Sequence, residues 1–333
     1  MFKIKSLMAS VLCICLLSSS FQIANAKDTN LQSATVYLTG SGIAARLHEP
    51  VLKEFSDVSS RVIRIPEESM DNDELNISPE DWLFLGTPVY KHEKHLLYAT
   101  KKYKKILCEK PVGLSLDEID QIKHAINENQ VLFRVNYALR FLPVLDEIKE
   151  FINNNDIKSV TLTCNASFNK NPPNKDWKND YKLGGGILYS IFPHLADLLN
   201  FVVGQSNLDS ITYESNQEIP MDDIKFRSKT LNGVDTAISI NLCENFDELA
   251  LKIETADKTE VFDLINSSDN KIAGTKYCNG TLPATSELSP WRTSFRIMLK
   301  NMFINPEDCR FAKIEDAENV HKILSVILSQ LPE

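Results

Sequence analysis

At 333 residues, 43% apolar and 24% charged, the chain is long enough to bury a sizeable core and fits two domains better than one. This composition excludes a disordered or fibrous protein. A formal charge of -9 without long single-sign blocks gives no basic stripe of the kind that displaces counterions from a nucleic acid, so the expected partner is a small molecule.

The first residues carry Lys3 and Lys5, an apolar stretch from Leu7 to Leu17 and the small-x-small triplet Ala24-Asn25-Ala26. This predicts a secretory leader over residues 1–26, cleaved near Ala26, because the apolar stretch falls well short of the roughly 20 residues that span a bilayer. Without a twin arginine, export in an unfolded state is expected, to a periplasmic or secreted location. Cytoplasmic placement follows only if the leader does not function, and no stable membrane insertion is expected after cleavage. Cys13 and Cys15 leave with the leader. The remaining Cys108, Cys164, Cys243, Cys278 and Cys309 show no metal spacing; a Cys243 to Cys278 bridge is conceivable, but scattered cysteines commonly serve as small core residues, and no metal is expected.

Next, "ATVYLTGSGIAARLHEPVLKEF" alternates as a strand, then turns through Gly40 and Gly42 into a helical pattern. With Ala45 the spacing is G-x-G-x-x-A, and Ile43 lies within the turn. The first glycine permits the tight turn, the second admits a pyrophosphate, and the small third residue lets helix pack on strand. The following strand, "SRVIRIPEE", brings Glu67 to about the distance at which an acid binds the adenosine ribose of NAD, whereas Arg64 suits the 2'-phosphate of NADP. Both cofactors stay open. The segment from Glu67 to Asp81 is too short for a full crossover helix.

A third strand, "DWLFLGTP", leads through Thr87 and Pro88 into "VYKHEKHLLYATKKYKK", which has helical apolar spacing at Leu96, Leu97 and Tyr98. A fourth, "ILCEKP", ends in Glu109-Lys110-Pro111. Strands alternating with helices predict a parallel, doubly wound sheet whose ligands sit at the carboxyl ends of its strands, where Gly40, Thr87 and Lys110 would gather.

Several of these motifs occur in the order seen in the Gfo/Idh/MocA family (glucose-fructose oxidoreductase, inositol dehydrogenase, rhizopine catabolism), which the chain resembles: "GSGIAARLH", "GTPVYKHEKH", "ILCEKPVGLSLDEID", "VNYALRFLPVLDEIKEFI" and "GGGILYSIFPHLADLL". The resemblance implies a Rossmann domain over residues 33–140, and a second α/β domain over residues 141–331 built on an open, largely antiparallel sheet. It further implies NAD or NADP as cofactor, bound by Gly40, Gly42, Ile43, Ala45, Glu67, Thr87, Pro88, His92, Glu109 and Lys110. Lys110 and His194 are the implied catalytic residues, and Ser190, Asp197, Arg140 and Tyr137 position the substrate. A dimer or tetramer formed through the exposed sheet face is implied as well.

The glycines at 184–186 would let backbone approach a ligand and leave amides free at a helix start. His194 and Asp197, three apart, would share a face, while Pro193 disturbs any helix running through it. Where the family usually reads GGG-x-x-x-Asp-x-Gly-x-His, this chain has Ser190 and Phe192. Serine cannot act as a base near neutral pH. Two functions are therefore expected: an NAD(P)-dependent oxidoreductase of a sugar-like or other small compound, or an exported non-catalytic protein that binds a nucleotide or small ligand in the same cleft.

Overall fold

The computed structural model describes residues 34–42, 44–55, 61–70, 75–167, 176–215, 223–243, 248–266 and 290–330. The leader, Ile43 and Cys278 lie outside them, and with Cys278 the conceivable Cys243 to Cys278 bridge.

Strands β1 (Val36–Thr39), β2 (Val62–Ile65), β3 (Trp82–Leu85), β4 (Lys105–Cys108) and β5 (Leu132–Val135) form a parallel sheet of order β2-β1-β3-β4-β5. All four residues of β1 and of β3 are buried, as expected of a parallel sheet covered on both faces. One face, with Tyr37, Leu83, Leu85, Ile106 and Phe133, packs under α2 (His92–Lys102) and α3 (Leu116–Glu128). In α3 the apolar Ile119, Ile122, Ala125 and Ile126 recur at helical spacing, and the Ser115 hydroxyl caps the first turn by accepting from the Glu118 amide at 3.2 Å.

The opposite face carries Val36, Leu38, Trp82, Phe84 and Leu107. Between β1 and β2 the described residues bring to it a five-residue π-helical turn, Ala44–His48, and a short α1 (Glu49–Lys53). Its remaining cover comes from α7 (Pro290–Ile304), whose Phe295, Met298, Leu299 and Met302 join the same core. A division at residue 140/141 thus separates the two sheets but not the two cores, because the chain returns from the second sheet to close the first.

Among its described residues the connection from β2 to β3 contains one 3-10 turn, Glu67–Ser69, and it crosses from one side of β1 to the other. The short segment after Glu67 leaves β2 as the edge, with Ile63 44% exposed. The switch in strand order at β1 opens a crevice at the carboxyl ends of β1 and β3.

The second sheet, of order β11-β10-β6-β9-β8-β7, is antiparallel except for the parallel pair β6 (Ser159–Ser167) and β9 (Asp235–Cys243). Its other strands are β7 (Ser206–Ser215), β8 (Asp223–Thr230), β10 (Glu248–Glu254) and β11 (Thr259–Asn266). The inner face, with Val160, Leu162, Ile238, Ile240, Leu251 and Ile253, packs on helices that include α4 (Leu145–Asn153), α6 (Phe192–Val203) and α8 (Ile314–Leu328). The outer face is polar: Asn241 donates to Asn165 at 3.0 Å, and Asn165 donates in turn to Glu248 at 2.7 Å.

The apolar run that ends in α6 breaks at Ile191, between α5 (Ile187–Ser190) and α6, with Pro193 in the first turn of α6. The arms Tyr181–Ser190 and Phe192–Val203 meet at a bend of 52°, and their Leu188, Phe192, Leu195, Leu198 and Leu199 are buried in the core. Among the described residues no single helix is long and apolar enough to cross a membrane.

Candidate active site

Gly40 ends β1 with φ 98°, and a Cβ there would lie 2.0 Å from the carbonyl oxygen of Gly86. The first glycine of the motif therefore serves the turn and the close approach of the loop after β3. The Gly42 carbonyl accepts from the Arg46 amide at 3.2 Å and opens the π-helical turn to which Ala45 belongs. Arg64, on β2, reaches across and donates to the Gly40 carbonyl at 2.6 Å.

Glu67, expected at the ribose, has a protein partner. Its carboxylate accepts from Lys91 at 2.6 Å, which ties the end of the β2 segment to the loop before α2. His92 is not positioned as a ligand contact either. Buried, it sets Nε2 2.8 Å from the Thr87 carbonyl and Nδ1 2.9 Å from the Pro111 carbonyl, so it clamps the loops after β3 and β4 together. Burial drives its pKa below the ordinary histidine value. Thr87, followed by Pro88, bonds through its hydroxyl to His95 Nδ1 at 3.1 Å.

Lys110 follows β4, with a cis peptide to Pro111, and extends to the second domain, where Nζ donates to the Ser190 carbonyl at 2.5 Å. Burial is the main cause that lowers its pKa to about 8; Glu109 opposes the fall and Lys178 adds to it. His194, near the start of α6, meets the Tyr137 ring edge-on with centroids 6.1 Å apart. Its pKa lies well below the usual value, through burial first and the charge of Lys110 second. Lys110, Ser190 and His194 thus converge at one place. The Ser190 hydroxyl donates to the Gly186 carbonyl at 2.6 Å, leaving only its lone pairs for a further partner.

The three glycines do not offer free amides, contrary to the sequence expectation. Gly184 donates to Tyr181 at 3.0 Å, Gly185 to Asp180 at 2.8 Å and Gly186 to Lys178 at 2.7 Å. Their small size answers to packing instead: a Cβ on Gly184 would fall 1.9 Å from Val89 Cγ1, and one on Gly185 would fall 2.4 Å from the Trp177 carbonyl. Only Gly186, at φ 76°, faces open space.

Arg140 and Asp197 also require correction. Both are buried, and Arg140 donates to the two oxygens of Asp197 at 2.8 and 2.5 Å while a further contact reaches Asp316 at 3.0 Å. The two carboxylates hold Arg140 firmly charged against the effect of burial. These side chains tie the loop after β5 to α6 and α8. Tyr137 differs: its hydroxyl is buried and without a partner among the described residues.

His48 and Asn136 also belong to the site, and sequence alone did not point to them. His48 Nε2 and Asn136 Nδ2 each lie 2.6 Å from Glu109 Oε1, so Glu109, expected at the cofactor, accepts from two buried protein groups. A histidine three residues past Ala45 and an asparagine just after β5 were the only signals available, and neither is distinctive alone.

The crevice fits a dinucleotide: Gly40 closes its turn at the switch point and Arg64 brings a cation beside it. A family model described as oxidoreductase family, NAD-binding Rossmann fold, matches residues 20–137, and one described as GFO/IDH/MocA C-terminal domain matches residues 145–242. An uncharacterized oxidoreductase of Bacillus subtilis is 30% identical over 124 residues, 37% of this chain and 36% of that protein, so the chain spans about a third of its length in that match. Glucose-6-phosphate 3-dehydrogenase of the same organism is 23% identical over 265 residues, 72% of this chain and 75% of the enzyme. The crystal structure of a myo-inositol dehydrogenase from Corynebacterium glutamicum shares the fold with a TM-score of 0.68 at 15% identity, covering 90% of this chain and 97% of that one.

Proposed function

Because the chain belongs to the GFO/IDH/MocA family of NAD-binding oxidoreductases, we propose that it moves a hydride between a nicotinamide cofactor and a sugar-like or other small hydroxy or carbonyl compound. The observation that carries this reading is the reach of Lys110 from the end of β4 to the Ser190 carbonyl, which joins the cofactor crevice to the helix bearing His194. A bound nicotinamide supplies the hydride acceptor or donor.

The chain's own residues handle the proton and the charge. As an alcohol is oxidised, negative charge grows on its oxygen, and the Lys110 ammonium opposes that growth. His194, whose burial favours the neutral ring, takes the alcohol proton. Ser190 accepts from a second substrate hydroxyl, since its own proton is committed to Gly186. Mature protein purified without the leader should carry or bind NAD(H) or NADP(H), read by nicotinamide fluorescence and mass spectrometry, and should turn over in a screen of sugars, inositols and small carbonyls. Ser190, in place of an acid, favours the second reading, a non-catalytic binding protein. Tight cofactor binding with no turnover in either direction would select it.

Arg64, not Glu67, governs the choice at the adenosine end, because Arg64 lies on the glycine turn while Glu67 is held by Lys91. Arg64→Ala should weaken NADP about 10-fold and leave NAD nearly unchanged, the loss of one charge-assisted hydrogen bond. Glu67→Ala should move neither. Fluorescence titration checks both, and a clear loss of NAD affinity in Glu67→Ala would return the ribose to Glu67.

Export is part of the same proposal, supported by the charged, apolar and small-residue segments before Lys27. The intact mass of protein recovered from an exporting host should correspond to a chain beginning at Lys27. A mass that retains residues 1–26 would remove the leader.

A further inference from the structure

We propose that His48, Glu109 and Asn136 form a buried positioning triad that fixes a negative charge beside Lys110 and so keeps its ammonium protonated. The inference rests on the reading of Lys110 as the group that meets the substrate oxygen.

Glu109 is 7% exposed, His48 1% and Asn136 4%. Such a carboxylate is costly to bury unless it is hydrogen-bonded, and here Oε1 accepts from His48 Nε2 and Asn136 Nδ2, both at 2.6 Å, while Oε2 faces the Lys110 amide at 3.3 Å. A carboxylate only accepts, so the His48 nitrogen that faces it carries the proton. Burial alone would raise the Glu109 pKa, yet His48, Lys110 and Asn136 together hold it below the ordinary value, and the group stays anionic.

The triad is clamped from outside the first domain's own sequence span. The His48 ring stacks on Phe295 of α7 with centroids 4.7 Å apart at 18°, and meets Phe84 of β3 edge-on at 6.2 Å. The helix that closes the first sheet thereby also orients the histidine.

Around Lys110 stand Glu109, its neighbour in sequence; Lys178, in the 3-10 turn Asp176–Asn179; His194 of α6; and the Ser190 carbonyl of α5. Glu109 also faces Cys108 and His92. Of the ionised groups acting on Lys110, Glu109 is the one that favours the ammonium, and burial and Lys178 both work against it.

A purely structural triad would tolerate glutamine at 109, since its amide oxygen still accepts from His48 or Asn136; only the charge is lost. The test is competitive acetylation of Lys110 by acetic anhydride across a pH series, read by peptide mass spectrometry. The wild type should label with a midpoint near 8. Glu109→Gln should lower that midpoint by about one pH unit or more, and Asn136→Ala by less. An unchanged midpoint in folded Glu109→Gln overturns the proposal. If that variant does not fold, Glu109→Asp, which draws the carboxylate back by one methylene, should also lower the midpoint, and no change there overturns it equally. Since the labelling needs no substrate, a shifted midpoint in a protein without turnover leaves the triad in place and removes only the catalytic reading.

Discussion

Replacing Lys110 with methionine should lower turnover by about 100-fold or more while cofactor affinity stays nearly intact. The size follows from removing a cation opposite a developing oxyanion in a site with little water, about 2.7 kcal/mol or more of transition-state stabilisation. Cofactor affinity is spared because the Lys110 ammonium bonds the Ser190 carbonyl of the second domain. The pH dependence has a definite sign. His194 acts when neutral, so activity rises as pH climbs through its lowered pKa; Lys110 acts when charged, so activity falls as pH climbs through about 8. Steady-state rates of wild type, Lys110→Met and His194→Ala over this range check both statements. Wild-type turnover that survives Lys110→Met would refute the role.

Asp197→Ala should destabilise the fold by about 3 to 5 kcal/mol, the cost of leaving a buried guanidinium without its main carboxylate. The remaining partner, Asp316, is 34% exposed and touches one nitrogen at 3.0 Å, so it compensates only in part. The double substitution Arg140→Met with Asp197→Leu should cost much less than the single one, because neither charge is then stranded. Urea unfolding of the three variants measures this. A stable Asp197→Ala with a raised KM would instead restore the substrate role that the sequence suggested.

These two residues mark where sequence reasoning stops. Lys110 was legible because a strand ending in Glu-Lys-Pro is a local pattern, and in a parallel sheet every strand end lies on one edge. His194 was picked out through the family resemblance, which matches it to a histidine after the glycine block. Arg140 and Asp197 were both picked out, yet they lie 57 positions apart, and nothing local tells an acid that faces a substrate from one that faces an arginine. His48 and Glu109, 61 positions apart, are the same case with the opposite outcome, since there the pairing sits beside the candidate site.

By itself, the sequence determined the alternation of strand, glycine turn and helix, the parallel first sheet and the disturbance at Pro193, because periodicity and turn chemistry act over a few residues, whereas the largely antiparallel second sheet was expected only through the family resemblance. Tertiary structure alone decided the strand order β2-β1-β3, the return of α7 to cover Val36, Leu38 and Phe84, and the reason for Gly184 and Gly185. Those glycines were expected to make room for a ligand; they make room for Val89 and for the Trp177 backbone. Close approach of distant segments is set by packing of whole elements against one another, and a glycine needed for such packing looks the same in sequence as one that leaves space for a cofactor.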